Sequence, residues 1–219
     1  MKITDVDYVL LTSPFWRSPR SYGTVQIFTE DGRVGMGEAY CGVNMPLACR
    51  EAIGLLRAEL IDQDARQLGS LVRHLELTVE YFDHGGMIFC LVGAIDWALH
   101  DLAAQRAGLP LHRLLNPDSS NSLQPYASTC SPIMPCDEAI EELHLRHAQG
   151  FRAAKIRIGC GRLTIDESIK RALTLLDRAP PGMRIGIDAG QQIFHTHGLW
   201  DLPQATALVN ALEGSPCMF

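Results

Sequence analysis

From residue 124 onward the chain alternates short apolar stretches with longer amphipathic ones, and this alternation constrains the fold more than any other feature. Residues 124–130 read as a strand and 135–149 as a helix. The pair recurs at 153–158 and 164–179, and again at 184–188 and 202–212. Residues 216–219 have the composition of a fourth strand's beginning. Consecutive parallel strands need a crossover of a dozen or more residues, usually a helix, so this spacing predicts a parallel sheet flanked by helices.

The first part of the chain follows a different pattern. Residues 2–11 and 22–29 are rich in Val, Ile, Tyr and Thr, and 34–39 follow the turn signal Glu30-Asp31-Gly32, which predicts an antiparallel sheet. Between the first two strands, 12–21 hold two prolines, two arginines and a tryptophan and read as a loop. Helical spacing runs over 46–61, 64–82 and 88–107, the last with Leu91, Ile95, Leu99 and Leu102 on one face. Gly108 and Pro110 end it. The polar, turn-forming stretch 116–120 then divides an α+β unit, 1–118, from a β/α unit, 122–219.

Composition excludes several classes of function. The net charge of −6 provides no basic stripe to neutralise phosphates, which argues against a nucleic-acid partner. The longest wholly apolar run, 87–95, is about half of the ~20 residues that span a bilayer, so no membrane is expected. No basic segment followed by a long apolar one opens the sequence, so no secretion signal is read there. Seven cysteines, never spaced C-x-x-C, suit free thiols in a reducing cytoplasm better than a disulfide framework or a zinc site. There is no G-x-G-x-x-G, P-loop or G-x-S-x-G elbow to support dinucleotide binding, phosphate binding or serine hydrolysis.

The candidate chemistry lies at strand ends. Lys155 and Arg157 are two apart on one strand, so their side chains share a face. Two adjacent cations need compensating anions. An acidic substrate or a carboxylate–metal cluster would supply them, and so would a plain salt bridge to Asp188 or Glu167. Asp188 ends the next strand, where a carboxylate suits a hard cation such as Mg²⁺ but equally suits a helix cap or a turn. His195 and His197 form an H-x-H pair in the following loop, placed for solvent, for a substrate's distal end, or for a metal. Arg17 and Arg20 stand in the first loop, able to hold a carboxylate or hydroxyls, or simply to be solvated. Asp96 and His100, one turn apart, read as an internal hydrogen bond or interface contact, and Glu38 as structural.

These residues carry a resemblance. DGRVGMGEAY resembles the capping-domain hairpin of the enolase superfamily, in its mandelate racemase and muconate lactonising enzyme group. GAIDWALHDLAAQRAGLPLHRLL resembles the long helix and Leu-Leu exit that precede the barrel, and it is the most specific stretch. PYAST, GFRAAKIRIG and IGIDAG resemble the first three barrel strands, in the right order. The resemblance implies an α+β capping domain followed by a truncated (β/α) TIM-type barrel of about three units out of eight. It implies an enzyme that removes the proton α to a carboxylate with Mg²⁺, most naturally an acid-sugar (hydroxy acid) dehydratase. A racemase or epimerase is the alternative, or a fragment with no catalysis. On this reading Asp188 is the first metal ligand, Lys155 and Arg157 are the catalytic K-x-K-like pair, and Arg17, Arg20 and His195 are substrate-binding. The loop 12–21 matches the one that closes over the substrate.

Two departures bear on that reading. Arg157 replaces the second lysine; a guanidinium is a poor base but a good carboxylate partner, which leaves Lys155 as the better base. Gly190 stands where the family commonly has asparagine, with a stretch including HTHGLW inserted after it. A whole barrel takes about 250 residues. The remaining metal ligands are therefore expected beyond Phe219, with the 219-residue chain inactive alone and the full-length protein a cytoplasmic homo-oligomer.

Overall fold

The computed structural model describes residues 1–15, 18–159, 163–190 and 199–218, with only the backbone at 14, 15 and 18–20. The chain divides into two compact units, Met1–Ser120 and Asn121–Phe219.

In the first unit β1 (Ile3–Phe15), β2 (Ser18–Thr29) and β3 (Val34–Ala39) form an antiparallel sheet in sequence order. A 3₁₀ turn, Tyr40–Val43, leads to α1 (Pro46–Leu60), α2 (Leu68–Val79) and α3 (Met87–Ala107). The loop expected over 12–21 is instead a continuation of the first hairpin, with Ser13 paired to Arg20, Pro14 to Pro19 and Phe15 to Ser18. The prolines are tolerated because β3 pairs with β2 only from Gly23 to Phe28, so that among the described residues the hairpin's far end is a two-stranded ribbon. The helix expected over 64–82 is confined to α2, a turn occupying the residues before it. A short helix, α4 (Leu111–Leu115), follows Pro110 and was not anticipated.

By length and composition α3 is apolar enough to cross a membrane, a property hidden when only unbroken apolar runs are counted. Here it is a core helix: Leu91, Ile95, Leu99 and Leu102 are buried with Ile3, Val25 and Ile27 of the sheet and Leu56 and Leu75 of α1 and α2. Its seat on β3 depends on small residues. Gly35, Gly37 and Ala39 are the buried alternate positions of that strand, and Gly35 and Gly37 lie against the backbone of Ala98 and Ala94 of the helix.

The start of α3 is fixed from outside the helix. Asp83 accepts hydrogen bonds from the backbone N–H groups of Gly85 (3.1 Å), Gly86 (2.5 Å), Ile88 (2.6 Å) and Phe89 (3.3 Å), satisfying donors that a helix start leaves unpaired. Burial pushes the Asp83 carboxyl up, but these donors outweigh it and hold it below the ordinary carboxylate value. Because the folded-state value is depressed, the contribution is complete above the unfolded pKa of about 4 and is lost as pH falls through the folded value. Asp83→Ala is expected to cost about 1 kcal/mol at neutral pH and progressively less in acid, read from urea midpoints across that range. A gap that stays constant with pH would contradict the assignment.

In the second unit β4 (Ala127–Thr129), β5 (Ala153–Arg157) and β6 (Arg184–Asp188) form a parallel sheet in sequence order. Helices α5 (Cys136–Ala148), α6 (Ile165–Asp177) and α7 (Leu202–Leu212) separate and follow the strands, so the expected β/α alternation is observed. Ala154, Ile156 and Ile158 of the β5 segment are buried with Leu143, Leu175 and Leu208 from the three helices. Cys217 makes a parallel bridge to Ile185, and the Met218 N–H donates to the Ile185 carbonyl at 2.7 Å. The residues after α7 thus lie alongside β6. Both T-x-x-E at Thr164 and D-x-x-Q at Asp201 form capping boxes, and Glu167 is held at the start of α6.

Candidate active site

The parallel register places the three charged candidates. Lys155 lies opposite Gly186, and Arg157 lies opposite Asp188. Neighbouring residues in a parallel pair point to the same face, so Lys155, Arg157 and Asp188 share one face while Ala154, Ile156 and Ile158 occupy the other. Gly186 brings no side chain, and Lys155 reaches past it toward the strand end.

There the three groups meet. Lys155 Nζ donates to Asp188 Oδ2 at 2.9 Å, and Arg157 donates to the same oxygen through Nη2 at 3.0 Å and Nε at 3.2 Å. The Gly190 N–H donates to Oδ1 at 2.9 Å. A Cβ at Gly190 would sit 2.9 Å from that oxygen, so a larger residue there would press on the carboxylate. The side chains of Lys155 and Asp188 are each 21% exposed and that of Arg157 is 36% exposed, so the cluster opens to solvent at the carboxyl ends of the strands. In open α/β sheets, ligands bind outside those ends. Burial pushes the Asp188 carboxyl up, but the bonds from Lys155 and Arg157, then Gly190, outweigh it and hold it below its ordinary value. Asp188 is therefore an anion at neutral pH.

The donor chemistry bears on a cation. Asp188 offers the oxygen ligand that Mg²⁺ prefers, yet Mg²⁺ needs near-octahedral coordination. Among the described residues no three His, Cys, Asp or Glu side chains gather as a ligand set. These residues fit one ligand of a divalent cation and do not complete its site.

Arg17, His195 and His197 lie outside the described residues, as does most of the stretch after Gly190. Arg20 is described only as backbone, in the hairpin opposite Ser13. His100 Nδ1 lies 3.1 Å from Asp96 Oδ1, one turn back in α3, and Glu38 is exposed on β3.

One residue that sequence reading missed is Arg171. It is buried on the inner face of α6 and donates to the backbone carbonyls of Met134 (2.8 Å) and Ser131 (3.1 Å). Those carbonyls belong to the segment after β4, at the same end of the sheet as the charged cluster, so Arg171 shapes that rim. The available signal was an arginine on the i, i+3, i+4, i+7 buried face of the helix with Ser168, Ala172 and Leu175.

Comparisons with known proteins bear on this arrangement. Residues 11–116 match the mandelate racemase/muconate lactonizing enzyme N-terminal domain. The chain is 30% identical over 161 residues to the D-galactonate dehydratase family member ManD of Chromohalobacter salexigens, covering 73% of this chain and 38% of that protein. It is 29% identical over 173 residues to D-galactarolactone cycloisomerase of Agrobacterium fabrum, covering 78% of this chain and 44% of the relative. The chain thus spans less than half the length of these relatives. Among solved structures, a magnesium-bound racemase from Streptomyces coelicolor A3(2) superposes with a TM-score of 0.82 at 25% identity, over 96% of this chain and 60% of that one. The antiparallel sheet with its covering helices, the β/α strands that follow and these similarities together place the chain in the mandelate racemase/muconate lactonizing enzyme group of the enolase superfamily, as its N-terminal part.

Proposed function

We propose that this chain contributes the capping domain and first three β/α units of a TIM-type barrel to a Mg²⁺-dependent acid-sugar dehydratase. The observation that carries the reading is the convergence of Lys155, Arg157 and Asp188 at the carboxyl ends of adjacent parallel strands. The names of the relatives, among them D-galactonate dehydratase family members, supply the substrate class: a small hydroxy acid.

Each residue then has a task that its chemistry suits. Arg157 stays protonated at any working pH and binds the substrate carboxylate through its fork of donors. Lys155 is the base that takes the proton next to that carboxylate at Nζ. Asp188 stays ionised, keeps Lys155 and Arg157 oriented, and offers one oxygen to the cation. When bound, the cation supplies positive charge for the oxyanion that develops as the proton leaves. The acid that assists departure of the β-hydroxyl lies outside these three side chains.

A second reading is isomerisation, favoured by the cycloisomerase among the relatives, because it begins with the same proton removal. Assay of the complete gene product on a panel of aldonates and aldarates separates the two. A dehydratase yields a 2-keto-3-deoxy acid, whereas a racemase or epimerase exchanges and inverts the α-position in D₂O. Absence of both, with Mg²⁺ present, would sink the proposal. Lys155→Ala is expected to lower kcat about 10²- to 10⁴-fold with the far-UV circular dichroism spectrum unchanged. The 219-residue polypeptide alone is expected to turn over none of these acids. Turnover abolished by EDTA and restored by Mg²⁺ would overturn that expectation.

A further inference from the structure

Three of the scattered cysteines meet in the first unit, far apart in sequence and adjacent in space. The Cys49 thiol donates to Cys41 Sγ at 3.2 Å, and the Cys41 N–H donates to Cys90 Sγ at 3.2 Å. The Cys41 thiol also donates to the Met87 carbonyl, in the first turn of α3 beside Cys90, at 3.7 Å. All three are unpaired thiols. We propose that Cys41, Cys49 and Cys90 form a thiol–disulfide exchange site, in which Cys90 reacts first and Cys41 resolves it to an intramolecular disulfide.

Accessibility sets the order. Cys49 is fully buried and Cys41 is 9% exposed, whereas Cys90 is only partly buried. Burial pushes the Cys41 thiol well above its ordinary value, with the Cys49 and Cys90 thiols adding to the rise, so Cys41 is a poor nucleophile toward a reagent in solution. The Cys41 N–H donating to Cys90 Sγ holds that sulfur beside Cys41, where the resolving step takes place. A small disulfide such as oxidised glutathione is the oxidant. Cys90 sulfur attacks one of its sulfurs, forming a mixed disulfide and releasing one glutathione thiol. Cys41 sulfur then attacks Cys90 Sγ, breaking the mixed bond and releasing the second glutathione thiol. The two protein thiols lose two protons and two electrons, and one glutathione disulfide becomes two thiols. Cys49, in contact with Cys41 Sγ, can take over the bond by a further exchange that releases Cys90.

The test is incubation of the folded chain with oxidised glutathione, acid quenching, intact mass and peptide mapping. The wild type is expected to lose two hydrogens, to retain no glutathione in this cluster, and to carry a disulfide that includes Cys41. Cys41→Ser is expected to trap glutathione on Cys90, and Cys90→Ser is expected to slow formation of any Cys41 disulfide at least about tenfold. A wild type that keeps glutathione on Cys90, or in which Cys41 stays reduced, would overturn the proposal. So would a Cys90→Ser variant that forms the Cys41–Cys49 disulfide at the wild-type rate, an outcome that needs no Cys41 variant to fold.

Discussion

Gly37→Ala is expected to destabilise the first unit by about 3 kcal/mol, a large share of the stability of an ordinary domain. A Cβ at Gly37 would lie 2.0 Å from the Ala94 carbonyl oxygen, and one at Gly35 would lie 2.2 Å from that of Ala98. These are backbone atoms of α3 and cannot rotate away, so β3 must lift off the helix. Lifting it opens a seam through a core that includes Val25, Ile27, Ile95 and Leu99. Gly54 supplies the contrast. It is exposed in the middle of α1 with nothing within 4 Å of its would-be Cβ, and Gly54→Ala is expected to stabilise by up to ~1 kcal/mol through helix propensity alone. Urea midpoints give the energies, and hydrogen exchange of the β2 and β3 amides localises the loss. A Gly37→Ala midpoint equal to that of the wild type would show that α3 does not sit where these distances place it.

Asp188→Asn is the second large effect, on function more than on stability. The substitution preserves shape but leaves the Lys155 ammonium and the Arg157 guanidinium side by side without the anion that pairs them among the described residues. The expected stability cost is about 1 kcal/mol, at the low end of the range for stripping a partner from a buried polar group, because the exposed guanidinium is screened by water. The pH dependence identifies its origin. The folded-state carboxyl is depressed, so the wild type holds this advantage in full above about pH 4 and loses it as pH falls through the folded value. The gap between wild type and variant should therefore close in acid. Lys155→Met on the Asp188→Asn background should recover part of the loss, since it removes one of the two unpaired cations. In the complete enzyme Asp188→Asn is expected to cost about 10³-fold or more in kcat under the proposed chemistry, because both the cation ligand and the anchor of Lys155 and Arg157 disappear. Turnover within tenfold of the wild type would remove Asp188 from the mechanism, whatever its effect on stability.

Element types were legible in the sequence where periodicity was strong. The boundaries of β3, β6 and α7 are those the residue pattern predicts, and α3 differs by a single residue. The misreading over 12–21 came from treating two prolines as loop markers. Pairing with only one neighbour strand removed the penalty that proline normally carries in a sheet. The charged pair on β5 was visible as a two-residue spacing, but its partner was not. Glu167 was as good an anion for Lys155 and Arg157 until the capping box of α6 claimed it. Arg171 was overlooked because its partners are backbone carbonyls of a segment 37 and 40 residues away, which no residue-type pattern advertises.

By itself the sequence determined the order and kind of the elements, the division into an antiparallel and a parallel unit, and the family resemblance. Repeats of two and of 3.6 residues, and the turn residues that interrupt them, are local properties. The tertiary structure alone decided which side chains touch. Lys155 and Asp188 are 33 residues apart, Cys41 and Cys90 are 49 apart, and each pair meets only through strand register or helix placement. Those depend on how neighbouring elements seat against one another, down to the missing side chains of Gly35 and Gly37, and no window along the chain contains that information.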